Sequence, residues 1–367
     1  MFKGIYSGKK VLITGHTGFK GSWLSTWLLS LGADVAGFSL GTPTEPANFE
    51  VLGLRPRLRH YEGDIRDRDL ITDVVKDFGP DIVFHLAAQS LVRKSYSHPA
   101  LTMETNIMGT VNLLEAVQGS PSIRALVCIT SDKCYRNKEW VWGYRETDEL
   151  GGADPYSASK AGAEIAAHSY FRSGLPVDIY AATARAGNVI GGGDWAEDRI
   201  VPDCVRAWTA GVPVNIRNPW STRPWQHVLE PLSGYLWLGA CLFTGYTRNG
   251  LPVNKEAFNF GPAAEVNKTV GEVVESLAVH WPGFSNEMDR NAAAGKMENT
   301  LLKLCCDKAL SHLGWQAVLD FAQTIEYTAS WYKAWWDEGN DMYAFTMRQI
   351  EDYVAQARRK GVEWAQQ

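Results

Sequence analysis

Near its start the chain reads Val11-Leu12-Ile13-Thr14-Gly15-His16-Thr17-Gly18-Phe19-Lys20-Gly21, a short apolar run joined to an amphipathic stretch through glycines spaced G-x-x-G-x-x-G. A strand, a glycine loop and a helix in that order commit the chain to a narrow set of folds. Gly15 permits a tight turn, Gly18 lets a pyrophosphate approach the backbone, and Gly21 lets the helix pack on the strand. The free N–H groups at the helix N-terminus then face the phosphates. Thr17, Phe19 and Lys20 share the loop and join the glycines as candidate cofactor contacts. The spacing alone also describes an ordinary turn; its place directly after the first strand is what argues for a dinucleotide.

The rest of the first half repeats the strand–helix theme. Residues 10–14, 35–39, 81–88, 125–131 and 177–185 read as strands. Residues 19–31 read as a helix that places Trp23, Leu24, Trp27, Leu28 and Leu31 on one face, and 105–118 and 156–171 as two more. This alternation predicts an α/β fold, a Rossmann-type doubly wound parallel sheet covered on both faces, with a smaller C-terminal substrate-binding lobe. After Asn188 the texture changes, and glycine, proline and tryptophan crowd residues 191–224. The expected division is a dinucleotide-binding domain over residues 1–187 and a lobe made mostly of 188–367. The two interleave, because segments near 225–262 (Phe258–Phe260 above all) return to the sheet. Residues 320–336 and 341–355 read as helices.

Charge narrows the partners. The formal net charge is −5, and no run of Lys or Arg offers the basic stripe that a nucleic acid requires. The longest apolar stretch, 235–243, is too short to span a bilayer, and the N-terminus lacks a signal-peptide core. A cytoplasmic protein with neither nucleic-acid nor membrane partner is expected. The six cysteines form no C-x-x-C pair, so reduced thiols are expected, and no metal site.

The second strand ends Phe38-Ser39-Leu40-Gly41, with neither the acidic residue that binds an NAD ribose nor an arginine for the NADP phosphate. Asp64, in Gly63-Asp64-Ile65 after the third strand, can accept from an adenine amino group or instead cap the next helix. NAD is the expected cofactor. His85-Leu86-Ala87-Ala88-Gln89 closes the fourth strand, and its small residues would let a cofactor lie against the backbone. Tyr156-Ser157-Ala158-Ser159-Lys160 puts a phenol and an ammonium four residues apart on one helix face. The ammonium is expected to lower the phenol pKa toward working pH, so that the phenolate takes a hydroxyl proton while hydride leaves the same carbon. Tyr6 and Lys10 have the same spacing but precede the first strand. Ser131, at a strand end, would share the substrate hydroxyl.

The glycine loop, HLAAQ, Ser131 and YSASK resemble the extended short-chain dehydrogenases/reductases. Ile129-Thr130-Ser131-Asp132-Lys133-Cys134-Tyr135 resembles the 4,6-dehydratase signature, with Ser131-Asp132-Lys133 where the deoxythymidine-diphosphate-glucose members carry Thr-Asp-Glu. Residues 14–23 (TGHTGFKGSW), 132–144 (DKCYRNKEWVWGY), 185–202 (RAGNVIGGGDWAEDRIVP) and 223–235 (RPWQHVLEPLSGY) are similar to the CDP-glucose branch of these nucleotide-sugar dehydratases, over nearly the whole chain. Leu304-Cys305 departs from that branch's Leu-Asp, and Leu313-Gly314-Trp315 lacks its following proline.

The resemblance implies CDP-glucose as substrate, a homo-oligomer (dimer or tetramer), and a deoxysugar destined for a bacterial surface polysaccharide such as the O-antigen of lipopolysaccharide. It implies that Tyr156 and Lys160 remove the C4 hydroxyl proton as hydride passes to NAD, and that the ketone acidifies C5. Water then leaves from C5 and C6, and hydride returns to C6. Asp132 would protonate the departing C6 hydroxyl, with its pKa raised by burial. Lys133 would be the C5 base; it could otherwise stabilise an enolate or form a structural ion pair with Asp132. Asn106 would orient the cofactor site or make a core hydrogen bond. Arg223 and Arg199 suit the substrate pyrophosphate. Asn188 could donate to a phosphate oxygen, and Arg93 could approach from the HLAAQ loop; for each arginine a surface salt bridge is the competing view. Trp195 and Trp225 would wall the sugar or base, or be core, and His227 would touch substrate or be structural. The rival functions are a nucleotide-sugar 4-epimerase or reductase on the same fold and a non-enzymatic NAD sensor.

Overall fold

A computed structural model of the protein describes residues 1–216, 218–263, 266–281, 286–288, 301–337 and 339–366. Its centre is a seven-stranded sheet of β1 (Lys10–Thr14), β2 (Asp34–Ser39), β3 (Arg59–Glu62), β4 (Ile82–His85), β5 (Ala125–Ile129), β6 (Tyr180–Ala186) and β7 (Ala257–Phe260). The order is β7-β6-β5-β4-β1-β2-β3, and every neighbouring pair is parallel. This is the doubly wound arrangement expected. The winding reverses between β1 and β4, which opens a crevice at the carboxyl ends of those strands.

The central strands β1, β4 and β5 are buried on both faces because nearly all their positions are apolar. Val11 and Ile13 face one core with Ile82, Phe84, Ala125 and Val127; Leu12, Val83, Leu126 and Cys128 face the other. Helix α1 (Phe19–Ser30) packs on the first face and α2 (Arg68–Phe78) on the second. Asp67, not Asp64, caps α2, with its side chain accepting from the Leu70 N–H at 3.0 Å. The helix expected at 105–118 is α3 (Gly109–Gln118), entered through a π-helical turn over Glu104–Met108. Helix α4 (Pro155–Ser173) starts at the Asp154 cap, whose carboxylate accepts from the Ser157 N–H at 2.9 Å.

The strands at 82–85 and 125–129 end earlier than their apolar composition suggests. His85 explains one stop. Its ring is fully committed to the Thr14 and Thr110 hydroxyls at 2.7 and 3.0 Å, which anchors the strand end before the chain turns away at Leu86. Beyond Asn188 come α5 (Ile200–Thr209), α6 (Leu229–Thr244), α7 (Phe321–Trp336) and α8 (Met342–Arg359). The apolar run at 235–243 is the body of α6, a helix buried on all sides against the sheet. Among the described residues no helix is long and apolar enough to cross a membrane. All six cysteines are free.

Candidate active site

A cavity of about 2120 Å³ opens at the switch point between β1 and β4. A site for one drug-sized ligand occupies roughly 300–1,000 Å³, so this one has room for two nucleotides side by side. Its floor is the glycine loop. Gly15 has φ of +78°, and a Cβ there would lie 2.7 Å from the Ala87 nitrogen, so the β1 and β4 loops touch only because Gly15 is bare. A Cβ on Gly21 would lie 2.2 Å from the Gly15 carbonyl oxygen. Gly18 differs: a Cβ there would meet nothing closer than 3.4 Å, so its open side is a cradle for a ligand and not a protein contact. The Thr17 hydroxyl donates to the Gly41 carbonyl at 2.6 Å, which ties the loop to the end of β2. Leu86, Ala87, Ala88, Gln89, Asp64 and Ile65 complete this side of the cavity. The Asp64 carboxylate is held by Arg66 at 2.6 and 3.0 Å, and that guanidinium keeps it below the usual carboxylate range.

Opposite lie the reactive side chains. Ser131 leaves the end of β5, and its hydroxyl donates to Asp132 Oδ1 at 2.9 Å while also serving the Tyr156 phenol. Asp132 is 3% exposed, and its Oδ2 has no hydrogen-bond partner. Burial pushes the Asp132 carboxyl up, against the opposing pull of Lys133, Ser131, Arg223 and Lys20. No ion pair within 4.0 Å joins Lys133 to Asp132, so the structural pairing considered from sequence does not form. Lys133 lines the cavity. Burial brings the Lys160 ammonium down to about 8. Burial also raises the Tyr156 phenol to about 12, with the Ser131 hydrogen bond and Arg199 acting against it. This corrects the expectation that Lys160 lowers the phenol toward neutrality: desolvation outweighs the protein's own charges. Lys20 is drawn down to about 8 by burial, Arg199 and Lys160, against Asp132 and Asp194.

Arg199, Arg223, Asn188, Trp195, Trp225 and Arg93 line the far wall. Arg199 pairs with Asp194 at 2.8 Å, and Arg223 is 8% exposed. Arg93 is half-exposed and bonds Asp198 at 2.8 Å across the cavity mouth, the salt bridge that was its competing reading. Two expected contacts lie elsewhere. His227 is fully buried behind the wall, between the rings of Trp23 and Tyr327, and desolvation lowers it to about 3; it touches no part of the cavity. Asn106 is 2% exposed and does not line the cavity either. Its Oδ1 accepts from the Gln89 N–H at 2.8 Å, and its amide donates to the Gln89 carbonyl at 3.1 Å and the Ser159 hydroxyl at 2.8 Å. Asn106 therefore ties the HLAAQ loop to α4 from within the π-helical turn.

The model of the family described as GDP-mannose 4,6 dehydratase matches residues 12–328. The chain belongs to that family. Within the 4,6-dehydratase family, the CDP-glucose 4,6-dehydratase of Salmonella typhimurium is 46% identical over 363 residues, covering 97% of this chain and 99% of the relative. Among solved structures, a UDP-glucose 4-epimerase of Thermus thermophilus in complex with NAD superposes with a TM-score of 0.72 at 25% identity, over 88% of this chain and 99% of that one. A dTDP-glucose 4,6-dehydratase of Bacillus anthracis in complex with NAD gives 0.72 at 23% identity, over 89% and 97%.

One further feature of the site lies beneath the cavity. Glu164 and Arg185 are almost wholly buried behind Lys160 and are bonded to each other at 2.7 Å. The available signal was spacing: Tyr156, Lys160 and Glu164 follow one another at four-residue intervals down one helix face.

Proposed function

We propose that this protein is an NAD-dependent CDP-glucose 4,6-dehydratase, a hydro-lyase that converts CDP-D-glucose to CDP-4-dehydro-6-deoxy-D-glucose. The observation that carries the reading is one cavity holding two chemistries: the Tyr156–Lys160 pair, and a buried Asp132 that accepts from Ser131 and keeps one carboxylate oxygen without a partner. The 46% identity to the Salmonella enzyme supports the choice of cytidine. The bare side of Gly18 and the α1 N-terminus fit a dinucleotide pyrophosphate. NAD, when bound, supplies the hydride acceptor for C4 and the hydride donor for C6.

The chain's own groups supply the rest. Tyr156 takes the C4 hydroxyl proton, with Lys160 beside it to favour the phenolate and Ser131 to orient the hydroxyl. Asp132 delivers its proton to the C6 hydroxyl as that group leaves as water, and Lys133, as the neutral amine, receives the C5 proton and returns a solvent-exchanged proton to C5 to complete the product. Arg199 and Arg223 hold the substrate pyrophosphate, Asn188 donates beside them, and Trp195 walls the sugar. The lobe beyond residue 187 serves as the substrate-binding part and residues 1–187 with β7 as the NAD-binding part. A dimer is proposed through the exposed Met108 and Ile165, on adjoining helical segments, to be measured by light scattering.

The test is incubation of the purified protein with NAD and CDP-, dTDP-, GDP- or UDP-hexoses. Loss of one water from CDP-glucose, solvent deuterium at C5 of the product and no net reduced nicotinamide are the expected results. Retention of all substrate atoms with inversion at C4 would establish the epimerase reading instead.

A further inference from the structure

We propose that Glu164 and Arg185 are a positioning pair that sets the phenol–ammonium arm and the Asp132–Lys133 arm at a fixed separation; the inference rests on the dehydratase reading. Glu164 lies on α4 one turn beyond Lys160 and is 0% exposed. It accepts from the Thr130 hydroxyl, from the Thr183 hydroxyl at 2.9 Å and from Arg185 Nη2 at 2.7 Å, and it lies 3.5 Å from His168 Nε2. Arg185, on β6 and 2% exposed, also donates through Nη1 to the Tyr135 hydroxyl at 2.7 Å and the Glu146 carbonyl at 3.2 Å. Its guanidinium stands 4.9 Å from the centre of the Tyr135 ring. Tyr135 in turn donates to Asn259 Oδ1 at 2.8 Å on β7.

Thr130 precedes Ser131-Asp132-Lys133 and Tyr135 follows two residues after it. The catalytic tripeptide is therefore clamped on both sides, by Glu164 at its start and by Arg185 at its end. The same Glu164 is carried by the helix that bears Tyr156 and Lys160. One buried ion pair thus indexes the group that takes the C4 proton to the groups that act at C5 and C6. A salt bridge placed there for stability alone would not need both flanks of the tripeptide among its hydrogen-bond partners. A buried ion pair is, besides, weak support for stability compared with an apolar substitute. What it provides is a geometry that packing alone does not fix. The Glu164 charge also favours the ammonium form of Lys160.

The experiment follows Glu164→Gln, Glu164→Asp, Thr130→Val and Tyr135→Phe in the complete protein with NAD and CDP-glucose. It reads kcat, KM, reduced nicotinamide during turnover and deuterium entry at C5. Thr130→Val and Tyr135→Phe each cut one clamp and leave the ion pair, so they remain informative if Glu164→Gln does not fold. The expected result is a kcat lower by about 10- to 100-fold with KM nearly unchanged, the scale of a catalytic group displaced by about an ångström. Reduced nicotinamide is expected to accumulate in Thr130→Val and Tyr135→Phe, because oxidation at C4 proceeds and elimination lags. Glu164→Asp, which keeps the charge, should recover part of the rate lost in Glu164→Gln. Folded clamp variants with wild-type kcat, or with kcat and KM changed together and no reduced nicotinamide, would overturn the proposal. A wild-type protein that leaves CDP-glucose intact would instead defeat the dehydratase reading itself.

Discussion

Asp132 and Tyr156 are buried within the same pocket yet are asked to do opposite things. Burial raises both groups and so favours the protonated form of each. For Asp132 that is the state an acid needs. The elimination rate should therefore fall as pH rises through the Asp132 pKa, which lies above the ordinary aspartate value, and Asp132→Asn, which has no carboxyl proton to give, should lose the elimination at every pH. In that variant the first oxidation survives, so reduced nicotinamide should accumulate in a single turnover while water loss stops. For Tyr156 the raised value means that ionisation must be drawn out at the moment of transfer, with Lys160 at about 8 as the nearby cation. Tyr156→Phe keeps the ring and its packing. Its kcat should drop by roughly 10²- to 10⁴-fold, the usual worth of a positioned proton acceptor, with an unchanged thermal unfolding curve.

Within the elements, the three loop glycines are bare for different reasons, and substitution separates them. Gly21→Ala drives a methyl into the Gly15 carbonyl, so Tm should fall along with NAD binding. Gly18→Ala meets no protein atom closer than 3.4 Å, so Tm should hold while the Kd for NAD, measured by calorimetry, rises by about tenfold or more. Equal losses of Tm in the two variants would contradict the assignment. The sequence carried this loop, the parallel sheet and the long helices plainly, through glycine spacing, continuous apolar runs and helical repeats respectively. It was silent where the period ends. Residues 86–88 and 130–131 continue the composition of their strands after leaving the sheet, so the strands at 82–85 and 125–129 read too long. The π-helical turn at Glu104–Met108 has no signature of its own, so the sequence leaves Asn106 open between the cofactor site and a core hydrogen bond, and the fold turns it to Gln89 and Ser159. Glu164 was visible as a charge but not as a buried one, because it is on helix α4 while its partner Arg185 is on strand β6, and only the fold brings them together.

Across the whole molecule, one buried carboxyl bonds to both C-terminal helical segments, in addition to the apolar core they share with the sheet. Glu230, fully buried in the first turn of α6, accepts from the Val318 and Leu319 N–H groups just before α7 and from the Tyr353 hydroxyl on α8. Burial lifts it from 4.5 to about 7 despite those donors. A carboxyl raised on folding binds its proton more tightly in the native state than in the unfolded chain. Its contribution is therefore complete below the unfolded value of 4.5 and is lost as pH climbs through about 7. The gap corresponds to roughly 3 kcal/mol. Thermal unfolding followed from about pH 5 to about pH 8 should accordingly show Tm declining with rising pH. Glu230→Gln, an uncharged near-isostere, should flatten that decline and leave the remaining titrations in place. If wild type and Glu230→Gln lost stability along parallel curves, the ionisation of Glu230 would not be what couples α6 to the C-terminal helices.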